Sequence, residues 1–394
     1  MHNESSRMPG VASQIVANGR GKRRAIASNS SNRLPAFVES LAHDLRTPLA
    51  VIQEYAALLR DGLVGSLADE QQRVLEVISD RACDLNRVVD NAVDASNFAT
   101  RSHRVCGHRC RVHDIVARIG PQLVRKAAIR KVDLQFPTSQ ELPDIHCDDE
   151  TAGRAVANII CDAINACVKD CKISVSEEPH PRRKEAGMRV SVEGAGQEAV
   201  VALFHHLAEL SRFELDHRID QLREASLAVE LIKSNLGTLE AASCERAPAA
   251  LWVGFPIAEP VEVLQRHLTR ISQRLASPQK VMLFRAAVRE PIERRLSRDI
   301  DRVLNSGLGR NDLIIELDRA RWLVAVVHKR PSIERFPKRT ERRRQLINRR
   351  RLGEPLPKIC WRLLGSWHLP NDLSRMLATV GRRFENRPSA DAPA

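Results

Sequence analysis

The chain has 394 residues, 43% of them hydrophobic, and a formal charge of +13; this length predicts two or three domains and this apolar content excludes a disordered chain. No apolar run approaches the ~18 residues a helix needs to cross a bilayer, and the N-terminus lacks the compact apolar core of a signal peptide, so a cytoplasmic protein is expected.

Residues 1–34 are rich in Ser, Asn, Gly and basic side chains without a sustained period, and read as a flexible basic tail. No sensor domain is expected before residue 35. From there a helical stripe runs through Phe37, Leu41, Leu45, Leu49, Ile52, Ala56, Leu59 and Leu63, spaced by threes and fours. His43 lies about 200° from Leu41 on this helix and points to solvent. Gly62 and Gly65 break the pattern, and a second stripe follows through Val74, Ile78, Leu85, Val88, Ala92 and Ala95. The result is a helical hairpin over residues 35–100. Two such helices cannot enclose a core alone, so pairing with a second copy into a dimeric four-helix bundle is expected.

The run His43-Asp44-Leu45-Arg46-Thr47-Pro48-Leu49 sets an imidazole beside a carboxylate on this amphipathic helix. With its flanking residues it resembles the phosphoacceptor box of two-component histidine kinases, and the hairpin resembles their dimerisation domain. The resemblance implies that His43 accepts a phosphoryl group on a ring nitrogen and exchanges it with an aspartate of a response regulator receiver domain. Neutral imidazole is a nucleophile near pH 7. Asp44 would accept a hydrogen bond from the other ring nitrogen and so orient and activate His43. Thr47 matches the family position that orients a water in the phosphatase reaction. Pro48 removes a helical hydrogen bond and is expected to kink the helix just past the site.

His103, Cys106, His108, Cys110 and His113 then crowd into eleven positions, a density that would suit zinc if the side chains converged. The alternation through Val105 and Val112 reads better as an edge strand. The odd cysteine count, nine, and the helical setting of Cys161, Cys167 and Cys171 fit reduced thiols rather than a disulfide framework.

Residues 101–260 alternate between helix and strand periods: helices near 115–128, 151–169, 199–210 and 222–235, extended segments near 131–136, 172–176, 188–193, 239–242 and 250–256. This order predicts an α/β sandwich and resembles the ATP-binding domain of histidine kinases. In that family two asparagines one helical turn apart contact Mg²⁺ and the triphosphate. Here Asn158 stands at the first place and Asp162 at the second; a carboxylate suits Mg²⁺ but repels polyphosphate. The first glycine box is present as Gly194 and Gly196, but Val192 replaces the carboxylate that binds the adenine amino group. Glu193 points to the other side of the strand. The second glycine box, expected at Leu222 to Leu227, contains no glycine. The ATP site therefore reads as degenerate. The chain is expected to be a histidine kinase relative that uses ATP and Mg²⁺ poorly, or a phosphotransferase derived from a kinase that does not use ATP.

Residues 265–394 hold 30 Lys and Arg against 13 Asp and Glu, an excess of 17, while the rest of the chain carries a net charge of −4. The expected order over 265–385 is strand 280–284, helix 290–304, strands 312–317 and 322–327, helix 333–350, strand 359–364, helix 371–384. That succession predicts a ferredoxin-like or palm-type α/β domain. Its central hairpin weakly resembles that of diguanylate cyclases, but the turn reads Asp318-Arg319-Ala320-Arg321-Trp322 in place of the family signature, so a degenerate, inactive shell is expected. Arg339, Arg342, Arg343, Arg344, Arg349, Arg350 and Arg351 cluster on or beside one helix. An acidic receiver domain, an anionic membrane surface or nucleic acid could use them, and a non-enzymatic dimeric scaffold binding nucleic acid is the alternative reading of the chain. Residues 386–394 read as a tail.

Overall fold

The structure, a computed structural model, describes residues 12–100 (12–34 as backbone only), 105–136, 141–167, 171–194, 197–212, 224–244, 247–274, 277–289, 291–309, 311–328, 336–351 and 353–385. The chain divides into two compact units, essentially the hairpin and everything after it.

The hairpin comprises α1 (Ala12–Arg60) and α2 (Asp69–Ala99). Contrary to the expected tail, α1 already begins at Ala12; Ala, Gln, Lys and Arg in its first turns are good helix formers and need no apolar period to continue a helix. Pro48 sits inside the helix without ending it. Gly62 and Gly65, with φ of 74° and 122°, supply left-handed backbone for the turn. Asp69 and Glu70 then occupy the positive end of α2. The buried seam is narrower than the two stripes: Ala42, Leu49 and Ala56, seven residues apart, are buried on α1, and Ala82 and Val89 on α2. Leu41, Leu45, Ile52, Val74, Ile78, Leu85 and Val88 stay exposed in the single chain.

The second unit opens with β1 (His108–Cys110), α3 (Val112–Arg130), β2 (Asp133–Gln135), β3 (Ile145–Cys147) and α4 (Asp149–Ala166). Strands β4 (Lys172–Pro179) and β5 (Glu185–Glu193), helices α5 (Glu198–Arg212) and α6 (Glu224–Ser234), and strands β6 (Thr238–Cys244) and β7 (Ala247–Pro256) complete its first part. The expected edge strand is β1, paired with β3. A five-stranded sheet runs β2-β4-β5-β7-β6, with β2 parallel to β4 and the other pairs antiparallel. Alternation puts Ile173, Val175, Met188, Val190, Leu251 and Val253 on one buried face, while Ser174, Ser176 and Ser191 on the other are only half-buried. Ile115, Leu123, Ile159, Ile160, Ile164 and Leu231 of the helices are fully or almost fully buried. Gly187 has no room for a side chain, because a Cβ there would lie 2.0 Å from the Val253 carbonyl oxygen.

A helix that sequence reasoning did not place, α7 (Pro260–Arg274), leads into β8 (Gln279–Ala287), α8 (Arg294–Ser306), β9 (Leu313–Asp318), β10 (Arg321–His328), α9 (Phe336–Arg350), β11 (Cys360–Leu369) and α10 (Leu373–Glu385). The four strands form an antiparallel sheet in the order β11-β8-β10-β9. One face carries Phe284, Trp322 and Val324 against Leu296, Ile300 and Val303 of α8 and Phe336 of α9. The other carries Val281, Leu323 and Val327 against Leu264 and Leu268 of α7 and Met376 and Val380 of α10. Both faces are thus covered by helices.

The two parts of this unit are joined through Glu185, whose side chain has no exposed surface. It accepts from Arg266 Nη1 of α7 at 2.7 Å, from Thr238 Oγ1 at 2.8 Å and from Trp252 Nε1 at 3.4 Å. Burial pushes the Glu185 carboxyl up, but the bonds from Arg266 and Thr238 and the charges of Arg266 and Arg183 outweigh it and hold it below the usual range. Removing one partner strands the other's buried charge, so Arg266→Met should cost about 3 kcal/mol, read in urea unfolding at pH 7. Because the folded carboxyl is the stronger acid, its contribution is complete above the unfolded pKa of about 4.3 and is lost as pH falls through the folded value. The destabilisation by Arg266→Met should therefore shrink in acid.

Candidate functional site

His43 and Asp44 are both exposed, with side chains 83% and 74% accessible, and His43 Nδ1 lies 3.4 Å from Asp44 Oδ1. A proton on Nδ1 would be shared with this carboxylate and would leave Nε2 as the ring's acceptor atom. Thr47 Oγ1 donates to the His43 carbonyl at 3.2 Å, one turn back, so its hydroxyl is held at the helix surface below the histidine. Arg46 Nη2 donates to Asp90 Oδ1 of α2 at 2.6 Å and ties the two helices together beside the site. This cross-helix pair was not foreseen from the sequence.

The residues that the sequence aligns with a nucleotide site lie on α4 and at the end of β5. Asp148 caps α4, accepting from the backbone N–H groups of Glu150 and Thr151. Asn235, after α6, fixes this end of the helix: its Oδ1 accepts from Asp148 N at 2.7 Å and its Nδ2 donates to Thr151 Oγ1 and the Leu231 carbonyl at 3.0 and 2.9 Å. Asn158 is buried in α4 and Asp162, one turn on, is half-buried. Asn165, in the place of the family's lysine, accepts from Arg130 Nη2 at 3.3 Å. Val192 is fully buried in β5, in register with Ile173 and Ala249. Gly194 has φ of 110°. Gly196, Leu222 and Arg223 lie outside the described residues.

The histidines and cysteines after the hairpin diverge. His108 pairs with Asp149 at 3.2 Å, Asp149 also holding Arg118 at 3.0 Å. Burial pulls His108 down, but the bond to Asp149 and the charges nearby outweigh it, raising it to about 9. Cys110 faces Cys147 across the β1–β3 pair at 3.4 Å, and His113 turns to Glu177 at 3.1 Å. His103 lies outside the described residues, and no metal-holding group occurs among those described. His146, fully enclosed beside His108, is lowered to about 3 by burial and stays neutral.

The arginine cluster splits in two. Arg339 and Arg343 donate to the carbonyls of Gly307 and Ser306 and so cap the C-terminus of α8. Arg344 is held by Glu341 and the Leu356 carbonyl, and Arg351 by Asp299 at 2.8 Å. Arg342, Arg349 and Arg350 are exposed on α9.

Comparison with known proteins agrees with this geometry at the hairpin. Residues 34–99 match the His Kinase A (phospho-acceptor) domain family. Similar curated proteins include the alginate biosynthesis sensor protein KinB of Pseudomonas aeruginosa, 22% identical over 41% of this chain and 26% of that protein. The cell-division control histidine kinase PdhS of Brucella ovis is 23% identical over 54% of this chain and 21% of that protein. The chain thus spans about a quarter or less of the length of these relatives. Among solved structures, full-length ShkA in complex with AMPPNP covers 57% of this chain and 46% of its own, at 16% identity and a TM-score of 0.35. Histidine kinase AdeS of Acinetobacter baumannii covers 55% and 98%, at 14% identity and a TM-score of 0.33. Residues 34–99 are similar to a histidine phosphoacceptor hairpin, and the chain resembles two-component histidine kinases in having a helical region of this kind followed by an α/β domain.

Asn235→Ala should leave the Asp148 N–H and the Thr151 hydroxyl buried and short of a partner, lowering stability by about 2 kcal/mol in urea unfolding. Asn235→Asp keeps the acceptor for Asp148 N but sets a buried carboxylate oxygen against the Leu231 carbonyl, so it should be at least as destabilising as Asn235→Ala.

Proposed function

We propose that this chain is a homodimeric two-component signalling protein in which His43 exchanges a phosphoryl group with the aspartate of a response regulator receiver domain. The observation that carries this reading is the exposed His43–Asp44 pair on the phosphoacceptor helix. Nε2 attacks the phosphorus of the aspartyl phosphate, the bond between phosphorus and the aspartyl oxygen breaks, and the carboxylate leaves; the reverse step returns the phosphoryl group. The Nδ1 proton stays in place, and Asp44 stabilises the positive charge that the ring acquires. Thr47 positions water for the regulator's dephosphorylation. The exposed stripe from Leu41 to Val88 is the surface that a second copy covers.

Within this reading ATP with Mg²⁺ is a poor phosphoryl donor. Support comes from Val192, buried where adenine needs an acceptor, from Asp162 beside Asn158, and from the absence of glycine in α6 from Glu224 to Ser234. An adenine amino group buried without a partner costs on the order of 1–3 kcal/mol. The region 101–260 then serves as a degenerate ATP-binding domain. We read residues 265–385 as a ferredoxin-like domain, supported by two split βαβ units whose antiparallel sheet runs fourth, first, third, second in strand order.

Purified protein incubated with γ-labelled ATP and Mg²⁺ should acquire little label, whereas a phosphorylated receiver domain should label it rapidly, with His43→Gln blank in both. Asp44→Asn should slow transfer by about tenfold without changing helix content by circular dichroism. Strong His43-dependent label from ATP would show that the nucleotide site works despite its substitutions.

A further inference from the structure

Helices α8 and α9 lie side by side and antiparallel on one face of the β8–β11 sheet. Arg339 near the start of α9 and Arg343 at its middle bind carbonyls at the end of α8, and Arg351 just past α9 reaches back to Asp299 in the middle of α8. Their inner sides are committed to the core: Leu296, Ile300, Val303 and Leu304 on α8, Phe336 on α9. Their outer sides are strongly cationic. Arg295, Arg298 and Arg302 repeat at threes and fours along α8, and Lys338, Arg342 and Arg349 along α9, all exposed. The acids on these helices are mostly neutralised, Asp299 by Arg302 and Arg351 and Glu341 by Arg344. Leu346, 58% exposed, stands in the middle of the α9 stripe.

We infer that this two-helix face is a docking surface for an anionic phospholipid membrane. Charge sets the class of partner, and shape selects within it. Two helices packed in one layer on a sheet present their cations in a plane, so a planar bilayer meets both rows at once, whereas a duplex cylinder resting on a plane meets chiefly one. Among the described residues of this domain, Phe284, Trp322 and Phe336 are in the core, Trp367 is buried and Trp361 packs partly buried against the core, which leaves little aromatic surface for stacking on bases. Leu346 adds an apolar contact where headgroups would surround it, and the arginine stems extend their charges to the phosphates. No helix among the described residues is long and apolar enough to cross a membrane, so attachment through this face is peripheral, additive over several cations and weakened by salt.

The test is co-sedimentation of the full chain with vesicles of phosphatidylcholine alone or mixed with phosphatidylglycerol. Binding should require the anionic lipid, fall with added salt and resist competition by inorganic phosphate. Arg342→Glu with Arg349→Glu should weaken it by at least about tenfold, and Leu346→Ser by less, with circular dichroism and His43 labelling by a phosphorylated receiver unchanged. Three results would overturn the proposal: no sedimentation with anionic vesicles, a double variant that sediments like the parent, or, at matched salt, tighter binding of a duplex DNA fragment lost in the same variant. Retained His43 labelling in a variant that no longer sediments separates failure here from failure of the phosphotransfer reading.

Discussion

A carboxylate with no water around it, Glu185, governs how the larger unit is assembled. Its desolvation costs several kcal/mol, and that cost is offset only because its oxygens are reached from separate elements: Arg266 of α7, Thr238 of β6 and Trp252 of β7. Each donor is useful only when its element is in place, so sheet, strand end and α7 have to form together. Arg270 of α7 adds a second link by donating to the Lys233 carbonyl at the end of α6. Composition draws a boundary near residue 260, but the physical unit continues across it.

The hairpin obeys a different constraint. Its internal seam mixes small residues, Ala42, Ala56 and Ala82, with a few larger ones, Leu49, Val89 and Phe98, and leaves many large apolar side chains outside. A single copy thereby buries little apolar area, and the remainder, such as Leu85 and Val88, is surface that water does not stabilise. His43 projects to solvent while its neighbour Ala42 enters the seam.

Periodicity made most elements legible, because a helix with one buried stripe or a strand with one buried face writes its geometry into consecutive residues. His43 and Asp44 were legible for the same reason: their interaction is local. What could not be read was pairing across distance. Arg46 and Asp90 are 44 positions apart, and Asn235 meets Asp148 and Thr151 across more than 80; only the fold brings them together. Two elements were missed for other reasons. α7 spans the edge between neutral and basic composition, where its pattern of Val263, Leu264, Leu268 and Ile271 falls across two regions. The first turns of α1 lack any apolar period, since propensity alone carries them. The arginine cluster was visible as charge, yet its division into capping and outward-facing members depends on where α8 ends.

The continuity of α1 has a mechanical consequence. At 1.5 Å per residue, a helix of 49 residues is a rod about 74 Å long, with His43 roughly two thirds of the way along it. A continuous helix is stiffer to twisting than a loop, even with Pro35 removing one hydrogen bond between Ala12 and His43, so a rotation imposed near Ala12 is passed toward His43. Each residue added or removed between them would swing the histidine by about 100° around the axis relative to whatever holds the upstream end. The spacing of that segment is then a phase angle, and its composition, free of any stripe to preserve, can vary so long as the count does not.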